Sequence, residues 1–161
     1  MAEEECNHRP MSLLRASMIF LIAGLALSSA STSAVAAVAR RECTLSESMR
    51  ADDDTGSLRN WDAVYSWYRR WAQCDDGFIA EGNSEAIARI LVDHWDALPR
   101  LEKLTRRDPA LRRWVLENID ATLNVDDLRK LGRHARLDCP PHHSALCRDL
   151  SKAAAEAIKD E

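Results

Sequence analysis

From Ser57 onward the apolar residues recur with the period of an α-helix. Leu58, Trp61, Val64, Tyr65, Tyr68, Trp71 and Ala72 share one side of a helical projection, while Arg59, Asp62, Ser66, Arg69, Arg70 and Gln73 take the other. The spacing predicts an amphipathic helix of about four turns. Its expected stop is Cys74-Asp75-Asp76-Gly77, where glycine tolerates the left-handed backbone that closes helices. Trp67 lies off the stripe, near Val64 and Trp71, and widens the apolar arc to about half the circumference. An arc that wide either packs between two neighbouring helices or leaves aromatic surface for a partner.

The same period continues along the chain. Ser84 is the expected N-cap of a second helix with Ile87, Ile90, Leu91, His94 and Leu98 on its inner face, broken by Pro99. His94 then reads as a core histidine bonded to a backbone carbonyl. A short helix carrying Leu101 and Leu104 follows. Asp108-Pro109 is an N-cap followed by proline at the first helical position, opening a helix that buries Leu111, Trp114, Val115, Ile119 and Thr122. Asn124 or Asp126 caps a helix with Leu128, Leu131 and Ala135, which Cys139-Pro140-Pro141 closes. A last helix from about Ser144 carries Leu146, Leu150, Ala154 and Ile158, with a fraying alanine-rich end. No hairpin turn pair or alternating strand run interrupts this pattern. The expected fold is all-α: five to six short helices in an irregular bundle or a HEAT-like curved stack, stapled by disulfides.

Ahead of Ser57 the pattern changes twice. Residues 40–56, RRECTLSESMRADDDTG, are polar and read as a tether, to which only Cys43 lends a reason for order. Residues 11–39 hold no acidic residue and one basic residue, Arg15, before an unbroken apolar run from Met18 to Leu27. That run is too short to span a bilayer and reads as the core of a secretory signal, with cleavage expected near Ala36 or Ala39. Positive charge should dominate the start of such a signal, whereas MAEEECNHRP carries three consecutive glutamates, so the start that fits is Met11. No cysteine directly follows the small residues, so no lipid anchor is expected after cleavage. The expected organisation is an extension and signal over 1–39, a tether over 40–56 and a single helical domain over 57–161. The expected address is the periplasm or the exterior of a Gram-negative bacterium.

An exported chain starting at Met11 lacks Cys6 and keeps four cysteines: Cys43, Cys74, Cys139 and Cys147. With no Cys-x-x-Cys pair, two disulfides are the expected state in an oxidising compartment. Cys139 and Cys147 flank Pro140-Pro141-His142-His143 and can meet if the chain turns, which leaves Cys43 for Cys74. Pairing Cys74 with Cys139 across two helix ends is the alternative.

Charge adds an exclusion. The chain has a net charge of −4, with both signs interspersed, which gives no one-sided basic field for nucleic acid or an anionic membrane surface. The densest polar stretch is CDDGFIAEGNSE, residues 74–85. Asp75, Asp76 and Glu81 there could bind a cation or divide acid and base roles, but Phe78, Ile79 and Ala80 stand where a calcium loop needs oxygen ligands. The plainer reading is a helix-to-helix corner whose aspartates cap amides. His134, His142 and His143 lack a carboxylate at ligand spacing, so neither metal nor cofactor is expected. Arg106, Arg107, Arg112 and Arg113 read as a solvated basic cluster. Nucleophile motifs such as Gly-x-Ser-x-Gly and His-Glu-x-x-His are absent, and an enzyme is not the expected reading.

The stretch CDDGFIAEGNSEAIARILVDHWDALPRL, followed by DPALRRWVLENIDATLN and DCPPHHSALC, resembles a group of small exported bacterial helical proteins of unassigned function. The resemblance covers residues 57 to about 152 and rests on Cys74 to Gly77, Glu81, Trp95, Pro99, Asp120 to Asn124 and the two late cysteines together. It implies an exported single domain and carries no reaction. Periplasmic immunity proteins against secreted amidases share size, export and helical content, an analogy without a shared motif. The expected function is therefore interaction with an envelope protein, in an immunity or inhibitor role, through Trp67 and Trp71 or through the Asp75, Asp76 and Glu81 corner. The alternatives are a carboxylate-based or metal-dependent hydrolase at that corner and a purely structural envelope protein.

Overall fold

A computed structural model describes residues 41–160, and they form seven α-helices with no strand among them. The expected signal, its cleavage site, Met11 and Cys6 lie outside the described residues. The stretch expected to be a tether is instead the first helix, α1 (Leu45–Thr55). Thr44-Leu45-Ser46-Glu47 forms a capping box: the Glu47 carboxylate accepts the Thr44 amide at 3.0 Å while the Thr44 hydroxyl accepts the Glu47 amide at 3.3 Å. Cys43, immediately before the cap, is bonded to Cys74 with 5.0 Å between α-carbons.

Helix α2 (Trp61–Trp71) starts at Asn60, whose side chain accepts the amides of Asp62 and Ala63. One 3₁₀ turn, Ala72–Cys74, leads to α3 (Gly77–Asp93). Gly77 does adopt a left-handed φ of 53°, but it opens α3 rather than ending α2, with Asp76 as the N-cap. Ser84 is thus no cap; it is buried in the middle of α3. The inner face of α3 ends at Leu91 and Val92, and His94 is exposed at the C-cap rather than held in the core. After a second 3₁₀ turn, Trp95–Ala97, come α4 (Leu98–Arg107) and α5 (Pro109–Glu117), separated by Asp108, which caps α5 as its sequence requires. Thr122 is exposed in the following turn rather than on α5, because the Asp120 carboxylate takes both its amide and its hydroxyl, at 2.8 and 2.6 Å. Asn124 caps α6 (Val125–Leu137). Helix α7 (Ser144–Ala157) includes its alanine-rich end, where Ala154 and Ala157 are buried.

The principal helix contacts close a circuit. Helix α1 packs on α3, α3 on α6, α6 on α7, α7 on α5, α5 on α4, α4 on α2, and α2 back on α1. A curved stack would leave two open ends, so the architecture is an irregular bundle. The described residues fall in one compact unit that includes α1, so the domain begins earlier than residue 57. The second disulfide, Cys139–Cys147, spans 6.0 Å between α-carbons and staples the Pro140 to His143 turn between α6 and α7. No helix among the described residues is long and apolar enough to cross a membrane.

Candidate functional site

The wide aromatic arc of α2 is filled from both sides. Trp67, only 3% exposed, stacks on Trp114 of α5 with ring centroids 5.8 Å apart, and its indole N–H donates to the Ala51 carbonyl of α1 at 2.9 Å. Trp71 donates to the Asp54 carboxylate at 2.8 Å, with Arg70 4.6 Å from its ring centroid. These two tryptophans therefore form no exposed recognition patch. They are the wall against which α1 docks, and the need to clamp a helix on each side of α2 explains the width of the arc.

The acidic corner separates into three different roles. Asp75 is half-buried and its carboxylate is occupied by N–H donors from three residues: Asn83 at 2.7 Å, the Trp114 indole, and Asn118 at 3.4 Å. Asn118 also accepts the buried Ser84 hydroxyl at 3.2 Å and donates to the Trp114 carbonyl at 3.0 Å. The network joins the start of α3, the middle of α3 and the end of α5, so Asp75 acts as a structural acceptor. Asp76 caps the Gly77 amide at 2.8 Å. Glu81 is exposed and takes no part in either arrangement. The structure thus divides the three carboxylates between network, cap and solvent, and the hydrolase reading draws no support from their placement. Replacing Asp75 with Asn would turn an amide N–H₂ toward donors. We expect Asp75→Asn to cost about 1–3 kcal/mol in denaturant titration, the penalty of an unsatisfied buried donor. A catalytic Asp75 would instead show lost turnover at unchanged stability.

Asn83, Ser84 and Asn118 escape sequence reasoning. All three are buried polar residues, and Ser84 and Asn118 meet across 34 positions. The nearest signal is that Asn83 and Ser84 interrupt an otherwise apolar face.

Beside the exposed Asp76 and Glu81, the corner also exposes apolar side chains. Phe78, in the first turn of α3, is 66% exposed, and Leu45 and Met49, one turn apart on α1, are 80% and 64% exposed. Leu45 and Phe78 line one groove of about 620 Å³ that runs over the Cys43–Cys74 disulfide. Its charged lining is Glu42, Asp76 and an Arg41 engaged by Glu47. Glu81 stands one helical turn beyond Phe78. An apolar patch with an acidic rim, mounted on a disulfide, is therefore what this corner offers to solvent.

The histidines do not converge. His134 stacks on Trp95 and bonds Asp138 at 2.8 Å, His142 is exposed in the turn, and His143 bonds Glu102 of α4 at 3.0 Å. Among the described residues no three His, Cys, Asp or Glu side chains gather as a metal-binding group. The Arg106 to Arg113 cluster is likewise divided, Arg106 bonding Glu102 and Arg112 bonding Asp149. Glu102 is the most deeply placed ion partner, with only 8% of its side chain exposed. Burial pushes its carboxyl up, but the hydrogen bonds from His143 and Arg106 outweigh burial and hold it below the ordinary 4.5. Its contribution to stability is therefore complete above that ordinary value and is lost as pH falls through the lower folded value. Thermal melts across the acid range should show wild type losing more stability than Glu102→Gln; parallel losses would contradict the assignment.

No protein-family model, curated protein or solved structure matches the chain.

Proposed function

We propose that the chain is an exported helical interaction protein whose partner-binding surface is the Leu45, Met49 and Phe78 face beside the Cys43–Cys74 disulfide. The observation that carries this reading is the exposure of three large apolar side chains on two adjacent helices, two of them lining one groove. Single exposed apolar residues need no explanation, whereas a clustered, acid-rimmed patch is what a protein interface buries. The two disulfides fit an oxidising compartment, and the apolar segment from Met18 to Leu27 supports export to the bacterial periplasm. Within that compartment, a small stapled domain with an exposed apolar face suits an immunity or inhibitor role, occupying a partner's functional face. The acidic rim favours a partner whose own apolar site is bordered by lysine or arginine.

The test is retention of the envelope partner on purified wild type and on the Leu45→Glu, Phe78→Glu double variant. Both substitutions sit on exposed positions and should change stability by less than about 0.5 kcal/mol. We expect the partner to be lost from the variant while its fold persists. Equal retention by both proteins would remove this face as the binding surface. A toxin or effector gene beside this one would identify the first partner to try.

A further inference from the structure

The opposite end of the chain carries a second surface, independent of the corner above. Helices α6 and α7, the most extensively packed pair, enclose a groove of about 550 Å³ whose charged lining is Arg136, Arg148 and Lys152, with no carboxylate among its lining residues. It adjoins a second hollow, also free of lining carboxylates, where Arg129 and Arg133 join Arg136. Arg129 and Lys152 have carboxylate neighbours, Asp126 and Glu156, but Arg133, Arg136 and Arg148 have none within salt-bridge reach among the described residues. Three cations thus border each of two adjoining hollows, with Arg136 common to both, in a chain whose net charge is −4.

Gly132 gives this groove a built feature. A glycine inside a helix costs about 1 kcal/mol relative to alanine. A β-carbon there would stand 3.1 Å from Arg136 Nη1 and 4.0 Å from the Ala154 β-carbon. The missing side chain lets the Arg136 guanidinium lie along α6 where the two hollows meet, 3.5 Å from the Ser151 hydroxyl. Ser144, the first residue of α7, lines the same groove, and α7 has no side-chain cap.

We infer that the α6/α7 groove binds a phosphate ester, held by Arg136 and Arg148 with Lys152 and the Ser144 and Ser151 hydroxyls beside them. Guanidinium forks match the geometry of phosphate oxygens, and a groove of this volume accommodates a small ligand or a lipid headgroup. The experiment uses the full disulfide-bonded chain and two probes at low salt: inorganic pyrophosphate by calorimetry, and sedimentation with phosphatidylcholine vesicles with or without phosphatidylglycerol. Binding should weaken about tenfold in Arg148→Gln and at least as much in Arg136→Gln, while Arg59→Gln, at an exposed position ahead of α2, binds as wild type does. Gly132→Ala should weaken binding without removing any charge, a loss that bulk electrostatics does not predict. Binding of pyrophosphate alone identifies a soluble phosphate ligand, and added selective binding to phosphatidylglycerol vesicles identifies a headgroup. Failure of both probes to bind overturns the proposal. So does equal weakening by Arg59→Gln, which would make the attraction nonspecific. Circular dichroism of Arg148→Gln, an exposed position, confirms that any loss is local rather than unfolding.

Discussion

Removing the Cys43–Cys74 bond, by Cys43→Ser with Cys74→Ser, should lower unfolding free energy by about 3–4 kcal/mol and detach α1 first. The bond closes a loop of 31 residues, which in the chain-entropy account stabilises by that amount, whereas the Cys139–Cys147 loop of 8 should contribute about 2.5 kcal/mol. The particular dependence of α1 on its disulfide follows from its own sequence. Asp52, Asp53 and Asp54 stand at its C-terminal end with no basic residue in the last turn, and negative charge there opposes the helix dipole. The capping box favours the start of the helix but cannot hold so short a segment in water by itself. Loss of the bond should therefore expose Trp67 and Trp71, giving a red-shifted, quenchable tryptophan emission before the main unfolding transition. A single transition with unchanged emission would show that α1 docks without its staple.

Trp67→Ala should cost about 3–5 kcal/mol, the range for emptying a buried aromatic site. Trp67 contributes packing against Trp114 and a hydrogen bond to Ala51, so it fixes α1 and α5 to opposite sides of α2. Trp67→Phe keeps an aromatic ring against Trp114 but removes the hydrogen bond, about 1 kcal/mol, together with part of the buried indole's packing. Because that bond and the Cys43–Cys74 disulfide both hold α1, their effects should be non-additive: in the disulfide-free protein Trp67→Phe should cost measurably less. Denaturant titration of the double-mutant cycle measures this coupling. Additive losses would mean that α1 stays docked without the disulfide.

The features most legible in the sequence are those whose physics is local. The Asp108-Pro109 start, the Asn124 cap and the Ser144 start depend on residues within one turn, and each helix begins there or immediately after. Both disulfides have the favoured pairing: Cys139–Cys147 is read from its short spacing, and Cys43–Cys74 is what that pair leaves, against the alternative of Cys74 with Cys139. Helix α1 carried an equally local signal in Thr44 to Glu47, but the aspartates at its other end give the segment the composition of a disordered tether. What orders it comes from the indoles of α2 and from Cys74. The acidic corner was misleading for a related reason. A carboxylate poised for chemistry and one saturated by buried amides look alike in one dimension, and the donors to Asp75 come from Asn83, Trp114 and Asn118, up to 43 residues away. Ser84 had the form of an N-cap and proved to be a member of that same network. Phe78, whose position between Gly77 and Ile79 counts against a calcium loop, proved to be the residue the corner presents to solvent.

Trp67, Trp71 and Asp75 are framework, and we propose that Phe78 is at the contact surface. Site-specific photo-crosslinking tests it most directly, with a photoreactive side chain in place of Phe78 and, as control, in place of the exposed Lys103 on α4. We expect a discrete crosslinked protein species from position 78 that is absent from position 103. A species formed equally at both positions, or at 103 alone, would contradict it.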